Sequence, residues 1–267
     1  MENNKKIGIM GIGMVGGAVA RYFEKKGEVP ILYDPPRGLD SKEEINKADI
    51  IFVCVPTPYD DEKGGFDLAY VKSAIGILED NKIIVLKSTI LPGSTDELQE
   101  IFPQHKILFN PEFLTEETAD QDMCYPERQI LGYTDKSFNI TKDIMRLLPL
   151  APFERILPAK TAELVKYFSN TFYATKVVFA NQLYDVCEKL GVDYKDISEC
   201  ACADKRIAAA HILNIFHKGY RGYGGKCLPK DTRAFIQLAD RLGVDFKLLK
   251  QVEEINNELV GKKSEEK

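Results

Sequence analysis

Five short apolar runs punctuate the first half of the chain, KIGIMG, VPILYD, DIIFVCVP, KIIVLKST and KILFNPE. Each gives way to turn residues or to the start of an amphipathic segment. Runs that are apolar throughout fit strands of a parallel sheet covered on both faces, and the helical patterns between them supply the covers. The expectation is a doubly wound α/β domain. Past PFERIL the period changes, and AKTAELVKYFSNTFYATKVVFANQLYDVCEKLG carries apolar positions every three or four residues, closed by Gly191 as a C-cap. Shorter helices are predicted at YKDISECACA, around RIAAAHILNIF, at PKDTRAFIQLADRLG between Pro229 and Gly243, and at DFKLLKQVEEINNELVG. The pattern predicts an α/β domain over 1–157, an all-α domain over 158–261, and a polar tail, 262–267, that frays in solvent. The long helix from about Thr161 to Leu190 has more apolar positions than one small helical domain needs, which predicts a homodimer built on it.

Composition narrows the function classes. The chain has 267 residues, 44% hydrophobic and 29% charged, enough for two ordinary domains with normal cores. A net charge of −5 with scattered basic residues argues against a nucleic-acid surface. No apolar run approaches the roughly 20 residues of a membrane helix, and MENNKKIGIMG runs from a polar start directly into a strand instead of a signal peptide. A cytoplasmic protein is expected. Cys54, Cys124, Cys187, Cys200, Cys202 and Cys227 show neither paired CxxC spacing nor histidines at ligand spacing, so no metal site is expected and the cysteines read as reduced thiols.

The first chemical motif is GIGMVGG, with Gly11, Gly13 and Gly16 in GxGxxG spacing directly after the first strand. Gly11 suits the tight turn, Gly13 the close approach of a pyrophosphate, and Gly16 close packing of helix on strand, with the helix N-terminus facing the phosphate charge. Asp34 ends the next strand roughly 20 residues on, where a carboxylate accepts the adenosine ribose hydroxyls. Together these predict a Rossmann-type sheet that binds NAD. Asp34 would repel a 2′-phosphate, while Arg37 nearby weakens that preference for NAD over NADP.

Other polar groups sit at later strand ends, where ligands collect in such folds. VCVPTPYDDEKGGFD places Val55, Pro56, Thr57 and Pro58 at one, LKSTILPGST places Ser88 and Thr89 at another, and NPEFLTEETA offers Glu112 and Glu116 four apart. Taken singly, such residues more often cap a helix or face solvent than react. Much further on, GYGGKCLPKDT sets Cys227 behind Gly224 and Gly225, and a thiol that backbone or substrate can approach closely is a strong neutral-pH nucleophile.

GxGxxG with Asp34, VPTP followed by GGFD, KSTILPGST, NPEFLTEETA, PERQILG, AELVKYFSNTF, DKRI and GYGGKCLPKD stand in the order and nearly the spacing of the UDP-glucose/GDP-mannose dehydrogenase family, which the chain resembles over almost its whole length. The resemblance implies an NAD-dependent oxidoreductase that takes the primary alcohol of a nucleotide sugar through an aldehyde to a carboxylate by two hydride transfers. It implies cofactor contacts at Gly11, Gly13, Met14, Val15, Gly16, Asp34, Val55, Pro56, Thr57 and Thr89. It implies that Cys227 attacks the aldehyde to give a thiohemiacetal and then a thioester, and that Lys166 and Asn170, four apart on the long helix, hold the reacting oxygen. Glu116 matches the base of thioester hydrolysis with Thr89 and Asp231 positioning the water, and Glu112 matches a second carboxylate that shares or takes that role. Substrate contacts are implied at Phe113, Leu114, Lys166, Asn170, Arg206, Tyr223 and Gly224.

Two departures qualify the resemblance. Family members continue into a third domain that holds the nucleotide half of the substrate, whereas this chain stops where that domain would begin; a separate chain that supplies it is one expectation. The stretch from Arg206 to Cys227 is also longer than in the family, with His211 and His217 read as surface or packing residues, which puts the contact of Arg206 with a neighbouring subunit's substrate in question. Three alternatives to the dehydrogenase reading follow. A hydroxyacid-type dehydrogenase acting on a smaller acid or free sugar would need no thiol. A non-catalytic NAD-binding protein would not need to keep Cys227 and Lys166. A purely structural partner of a longer dehydrogenase would bind that enzyme and turn nothing over alone.

Overall fold

A computed structural model describes residues 5–60, 65–79, 81–217, 219–225 and 227–261; the tail at 262–267 and the side chain of His217 lie outside the described residues. The chain forms two compact units, Met1–Lys166 and Tyr167–Lys267.

The first unit runs β1 (Ile7–Met10), α1 (Met14–Lys25), β2 (Ile31–Tyr33), α2 (Lys42–Ile45), β3 (Ile50–Val53), the two-stranded ribbon β4 (Tyr59–Asp60) and β5 (Gly65–Phe66), α3 (Ala69–Gly76), β6 (Ile83–Leu86), α4 (Ser94–Ile101), β7 (Lys106–Phe109), α5 (Ala119–Cys124), β8 (Arg128–Tyr133), α6 (Thr141–Leu147) and β9 (Phe153–Pro158), and takes in the first turns of α7 (Ala159–Leu190). Its sheet has the order β2-β1-β3-β6-β7-β8-β9. The strands from β2 to β7 are parallel, in registers such as Gly8 with Ile31, Ile7 with Ile50, Ile50 with Ile83 and Ile83 with Lys106.

Alternation along each strand explains why the runs are apolar throughout. Ile7, Ile9, Ile50, Phe52, Ile83, Val85, Leu108 and Leu131 face one core with Val19, Tyr22 and Phe23 of α1, Met123 of α5 and Ile144 of α6. Met10, Ile51, Val53, Ile84, Leu86, Ile107, Phe109 and Ile130 face a second core with Ile45 of α2, Val71 and Ile75 of α3, Leu98 of α4 and Ala162 of α7. Both faces of the central strands β1, β3 and β6 are buried, as the doubly wound reading requires, while β9 at the sheet's edge is partly exposed.

The all-parallel expectation ends at β7. β8 runs antiparallel to it, with Leu108 opposite Tyr133, and β9 then runs parallel to β8. The segment between β7 and β8 carries the six-residue α5. α5 is tied to α1 by the Arg21 guanidinium, which donates from Nε and Nη2 to the Asp120 carboxylate. Gly132 on β8 allows α7 to approach, because a Cβ there would lie 2.9 Å from both Ala159 Cα and Ala162 Cβ.

The second unit contains the remainder of α7, α8 (Tyr194–Cys202), the ribbon β10 (Phe216–His217) and β11 (Tyr220–Arg221), α9 (Leu228–Arg241) and α10 (Lys247–Gly261). Gly191 at φ +68 and Gly243 at φ +73 follow the ends of α7 and α9 in the left-handed region, as their C-cap reading predicts. Ala174 and Val178 of α7 pack with Tyr223 and with Leu249 and Val252 of α10.

The helix expected around RIAAAHILNIF does not form, and residues 204–213 run through irregular turns and bends. Other groups take the carbonyls a helix would use: Lys176 Nζ donates to Ala208 O and the Tyr194 hydroxyl to Ile212 O. His211 adopts φ +67 and stacks on Tyr173 with ring centroids 4.5 Å apart, a backbone conformation that interrupts any right-handed helix.

Candidate active site

In the first unit the glycine loop is built as its spacing predicts. Gly11 sits at φ +85, and a Cβ there would come within 2.9 Å of the Cys54 and Val55 backbone; a Cβ on Gly16 would fall 1.9 Å from Gly11 O. These two glycines are demanded by the protein itself. Gly13 differs, since a Cβ on it would meet no protein atom within 4 Å, so this is the side from which a ligand can reach the backbone. Gly13 is also the N-cap of α1 and offers no side chain to the first N–H groups of that 12-residue helix, which Met14 and Val15 open. Asp34, just past β2, accepts the Ile12 N–H at 2.7 Å and lies 3.5 Å from Arg37 Nε. The carboxylate thus braces the loop while its Arg37 partner stays 62% exposed. An uncapped helix start, an open glycine and an acidic group past β2 fit a dinucleotide.

The strand-end loops next to it are zipped together. The Thr57 hydroxyl donates to Thr89 O at 2.7 Å and the Ser88 hydroxyl to Val55 O at 2.7 Å, so the loops after β3 and β6 hold each other while Pro56 faces solvent.

Beyond β7 the two glutamates part company. NPEFLTE is not helical: residues 110–115 are irregular and Glu116 begins a turn, with Glu112 buried and Glu116 exposed. Glu112 Oε1 accepts from Lys166 Nζ at 2.8 Å and Oε2 from the Leu114 N–H at 2.9 Å, and Lys166 also donates to the Glu112 carbonyl at 2.8 Å. Phe113 lies beneath two cations, with the Arg128 guanidinium 3.8 Å and Lys166 Nζ 5.8 Å from its ring centroid. Burial by itself would raise the Glu112 pKa, but Lys166, the Leu114 N–H and Lys87 outweigh it, so the carboxyl is held below its ordinary range.

In the second unit Cys227 is exposed and is the N-cap of the 14-residue α9, with Pro229 in the helix's first turn. Asp231, one turn on, is 1% exposed and accepts a hydrogen bond from Asn170 Nδ2 at its Oδ2. Its Oδ1 is buried and has no hydrogen-bond donor among the described residues, although Lys230 Nζ stands at ion-pair distance, 3.1 Å. Gly224 and Tyr223 precede the thiol, and Tyr223 is buried. Arg206 lies on the surface, 88% exposed and paired with Asp204. The structure therefore groups Glu112, Phe113, Leu114 and Lys166 in one unit and Asn170, Tyr223, Gly224, Cys227 and Asp231 in the other.

Sequence reading passed over several buried polar groups. Lys87, inside the KST motif, donates to Asn110 Oδ1 at 2.6 Å, and Asn110 in turn donates to Gln129 Oε1 and Ile130 O. Burial lowers the Lys87 pKa and pushes the Cys54 thiol up to about 12. Glu163 caps α4, taking the Gly93 and Thr95 N–H groups and the Thr95 hydroxyl. A strand-end lysine and a glutamate one turn into a helix have the sequence look of solvated charges, and only their burial singles them out.

Residues 38–148 match the NAD binding domain, and residues 160–258 the central domain, of the UDP-glucose/GDP-mannose dehydrogenase family. The chain is 34% identical over 225 residues to the UDP-glucose 6-dehydrogenase YwqF of Bacillus subtilis, covering 80% of this chain and 49% of that protein. It is 36% identical over 229 residues to a UDP-glucose 6-dehydrogenase of Rickettsia bellii, covering 81% and 51%. The chain thus spans about half the length of these curated relatives. Among solved structures, a UDP-glucose dehydrogenase from Pyrobaculum islandicum superimposes with a TM-score of 0.82 at 28% identity, covering 95% of this chain and 68% of that one. A 3-hydroxyisobutyrate dehydrogenase from Mycobacterium tuberculosis shares the fold, with a TM-score of 0.76 at 14% identity over 97% of this chain and 95% of that one. Among the described residues no helix is long and apolar enough to cross a membrane.

Proposed function

Because the chain belongs to the UDP-glucose/GDP-mannose dehydrogenase family, whose NAD-binding and central domains it carries, we propose that it oxidises the primary alcohol of a nucleotide sugar to a carboxylate, with Cys227 as covalent nucleophile. NAD, which Gly11, Gly13, Gly16 and Asp34 would hold, supplies the hydride acceptor, one molecule for each of the two oxidations.

In the first oxidation the alcohol carbon gives up a hydride and its hydroxyl a proton, leaving an aldehyde. The Lys166 ammonium and the Asn170 amide stabilise the charge that develops on that oxygen. Cys227 Sγ then bonds to the aldehyde carbon and the carbonyl oxygen takes a proton, giving a thiohemiacetal. Loss of the second hydride from the same carbon, and of the hydroxyl proton, leaves a thioester. Water adds to the thioester carbon, the C–S bond breaks, the thiolate returns and the carboxylate leaves. We assign the base for that water to Glu116, a role supported by the engagement of both Glu112 oxygens. Asp231, one turn after the thiol on α9 and held by Asn170 at Oδ2 and by Lys230 at Oδ1, suits a group that orients the water.

The observation that carries this reading is the position of Cys227, exposed at the start of α9. The thiolate is the attacking form, and the positive end of a long helix favours it. NADH counted per molecule of nucleotide sugar, free sugar or hydroxyacid tests the reaction: two per nucleotide sugar is expected, and one per hydroxyacid would overturn it. Cys227→Ser should keep NAD binding and stop release of the acid. Turnover of two NAD per substrate at the parent rate in that variant would remove the covalent step.

The same proposal includes a homodimer through α7, supported by the exposed stripe of Phe168, Phe172, Phe179, Val186 and Leu190 at helical spacing. It also places the protein in the cytoplasm, a reducing compartment that suits cysteines outside disulfides.

A further inference from the structure

The loop that leads to Cys227 is gripped by a single amide on α10. Asn256, 4% exposed, accepts the Tyr223 N–H at its Oδ1 at 2.7 Å and donates from Nδ2 to the Tyr223 carbonyl at 3.0 Å. One side chain thus satisfies both backbone groups of a loop residue four positions before the thiol. One turn earlier on α10, Glu253 Oε2 accepts the Tyr223 hydroxyl at 2.6 Å, while its Oε1 accepts Arg233 Nε at 2.6 Å. Arg233 belongs to α9, the helix that Cys227 caps. The chain before the thiol and the helix after it are therefore anchored to the same face of α10. Gly222, at φ +81, is required by the grip, since a Cβ there would stand 2.6 Å from Asn256 Oδ1.

We propose that Asn256 is a positioning residue for the Cys227 thiol, fixing the loop so that the thiol stays at the N-terminus of α9 in its reactive form. This rests on the reading of Cys227 as nucleophile. A buried amide that pairs with both backbone groups holds the loop against translation as well as rotation, whereas water bonded to the same groups would leave it free to shift. Displacements on the order of 1 Å cost covalent chemistry far more than they cost binding. Cys227 is already exposed, so loosening the loop adds no access for a small reagent and acts by moving the sulfur away from the helix end that favours the thiolate.

The test compares the parent chain with Asn256→Ala, which removes both bonds, and with Gly222→Ala, which crowds the grip from the loop side and keeps Asn256. Alkylation by iodoacetamide at fixed pH is read by mass spectrometry at Cys227 and at Cys200, an exposed thiol on α8 that serves as internal control. In each folded variant Cys227 should react about three-fold or more slowly with Cys200 unchanged. With UDP-glucose as probe substrate, kcat should fall about ten-fold while KM for NAD stays within about two-fold. A purely structural amide would lower the melting temperature and leave the Cys227-to-Cys200 ratio and kcat alone. That result in either folded variant overturns the proposal, and Gly222→Ala decides should Asn256→Ala fail to fold. If the parent makes no NADH from any nucleotide sugar, the dehydrogenase reading falls, while the alkylation ratio still decides whether Asn256 governs the thiol.

Discussion

Lys166 and Glu112 are joined twice. The ammonium donates to Oε1 and to the backbone carbonyl of the same glutamate, at 2.8 Å each, with both side chains less than a tenth exposed. The pair pins the strand-end segment to α7 and keeps both charges present in a place where either alone would be expelled. Lys166→Met, which keeps the stem and removes the charge, should destabilise the first unit by about 3 kcal/mol or more at neutral pH, the usual cost of stranding a buried charge. The depressed Glu112 pKa gives the parent a contribution that is complete above the unfolded carboxylate value, about 4.3, and is lost as pH falls through the lower folded value. The gap between parent and variant should therefore narrow in acid. Chemical denaturation at neutral pH and near pH 3 checks this, and a gap that widens in acid would refute it.

Glu163 is a second buried carboxylate with a different task. Its oxygens take the Gly93 and Thr95 N–H groups and the Thr95 hydroxyl, filling the start of α4. Glu163→Gln turns one acceptor into a donor that faces an N–H, and should cost about 1–3 kcal/mol in a denaturant titration. A loss below a few tenths would show that the cap contributes nothing to stability.

Asp34 has both the Ile12 N–H and, by the proposed function, the ribose hydroxyls to hold. Asp34→Ala should weaken NAD about ten-fold or more, the worth of charge-assisted hydrogen bonds, and should narrow the preference over NADP. Calorimetric titration with each cofactor measures it. Equal affinity of the parent chain for the two would defeat the reading of Asp34 as the selecting group.

For the stripe on α7, sedimentation at micromolar concentration should show a dimer. Phe172→Asp, which sets a charge beside the stacked Phe168 ring, should give monomers of unchanged helicity. A monomeric parent would count against the interface.

The sequence by itself determined the elements whose residues carry their own geometry. Gly11 and Gly16 could be placed because a tight turn and a helix-strand approach accept no Cβ, and Gly191 and Gly243 because helix ends favour left-handed backbone. The wholly apolar runs of β1, β3 and β6 could be read as buried on two faces because strand side chains alternate. Tertiary structure alone decided what depends on distant partners. The antiparallel direction of β8 rests on its pairing with β7, Leu108 opposite Tyr133, which neither run shows by itself. The helix expected around RIAAAHILNIF gave way because Lys176 and Tyr194 take its carbonyls from other helices. Glu112 and Glu116 look alike in NPEFLTEETA, and so do Lys87, Glu163 and Asn256 beside any solvated neighbour. What separates them is burial against a partner 23 to 70 residues away, a long-range contact with no imprint on the local pattern of the chain.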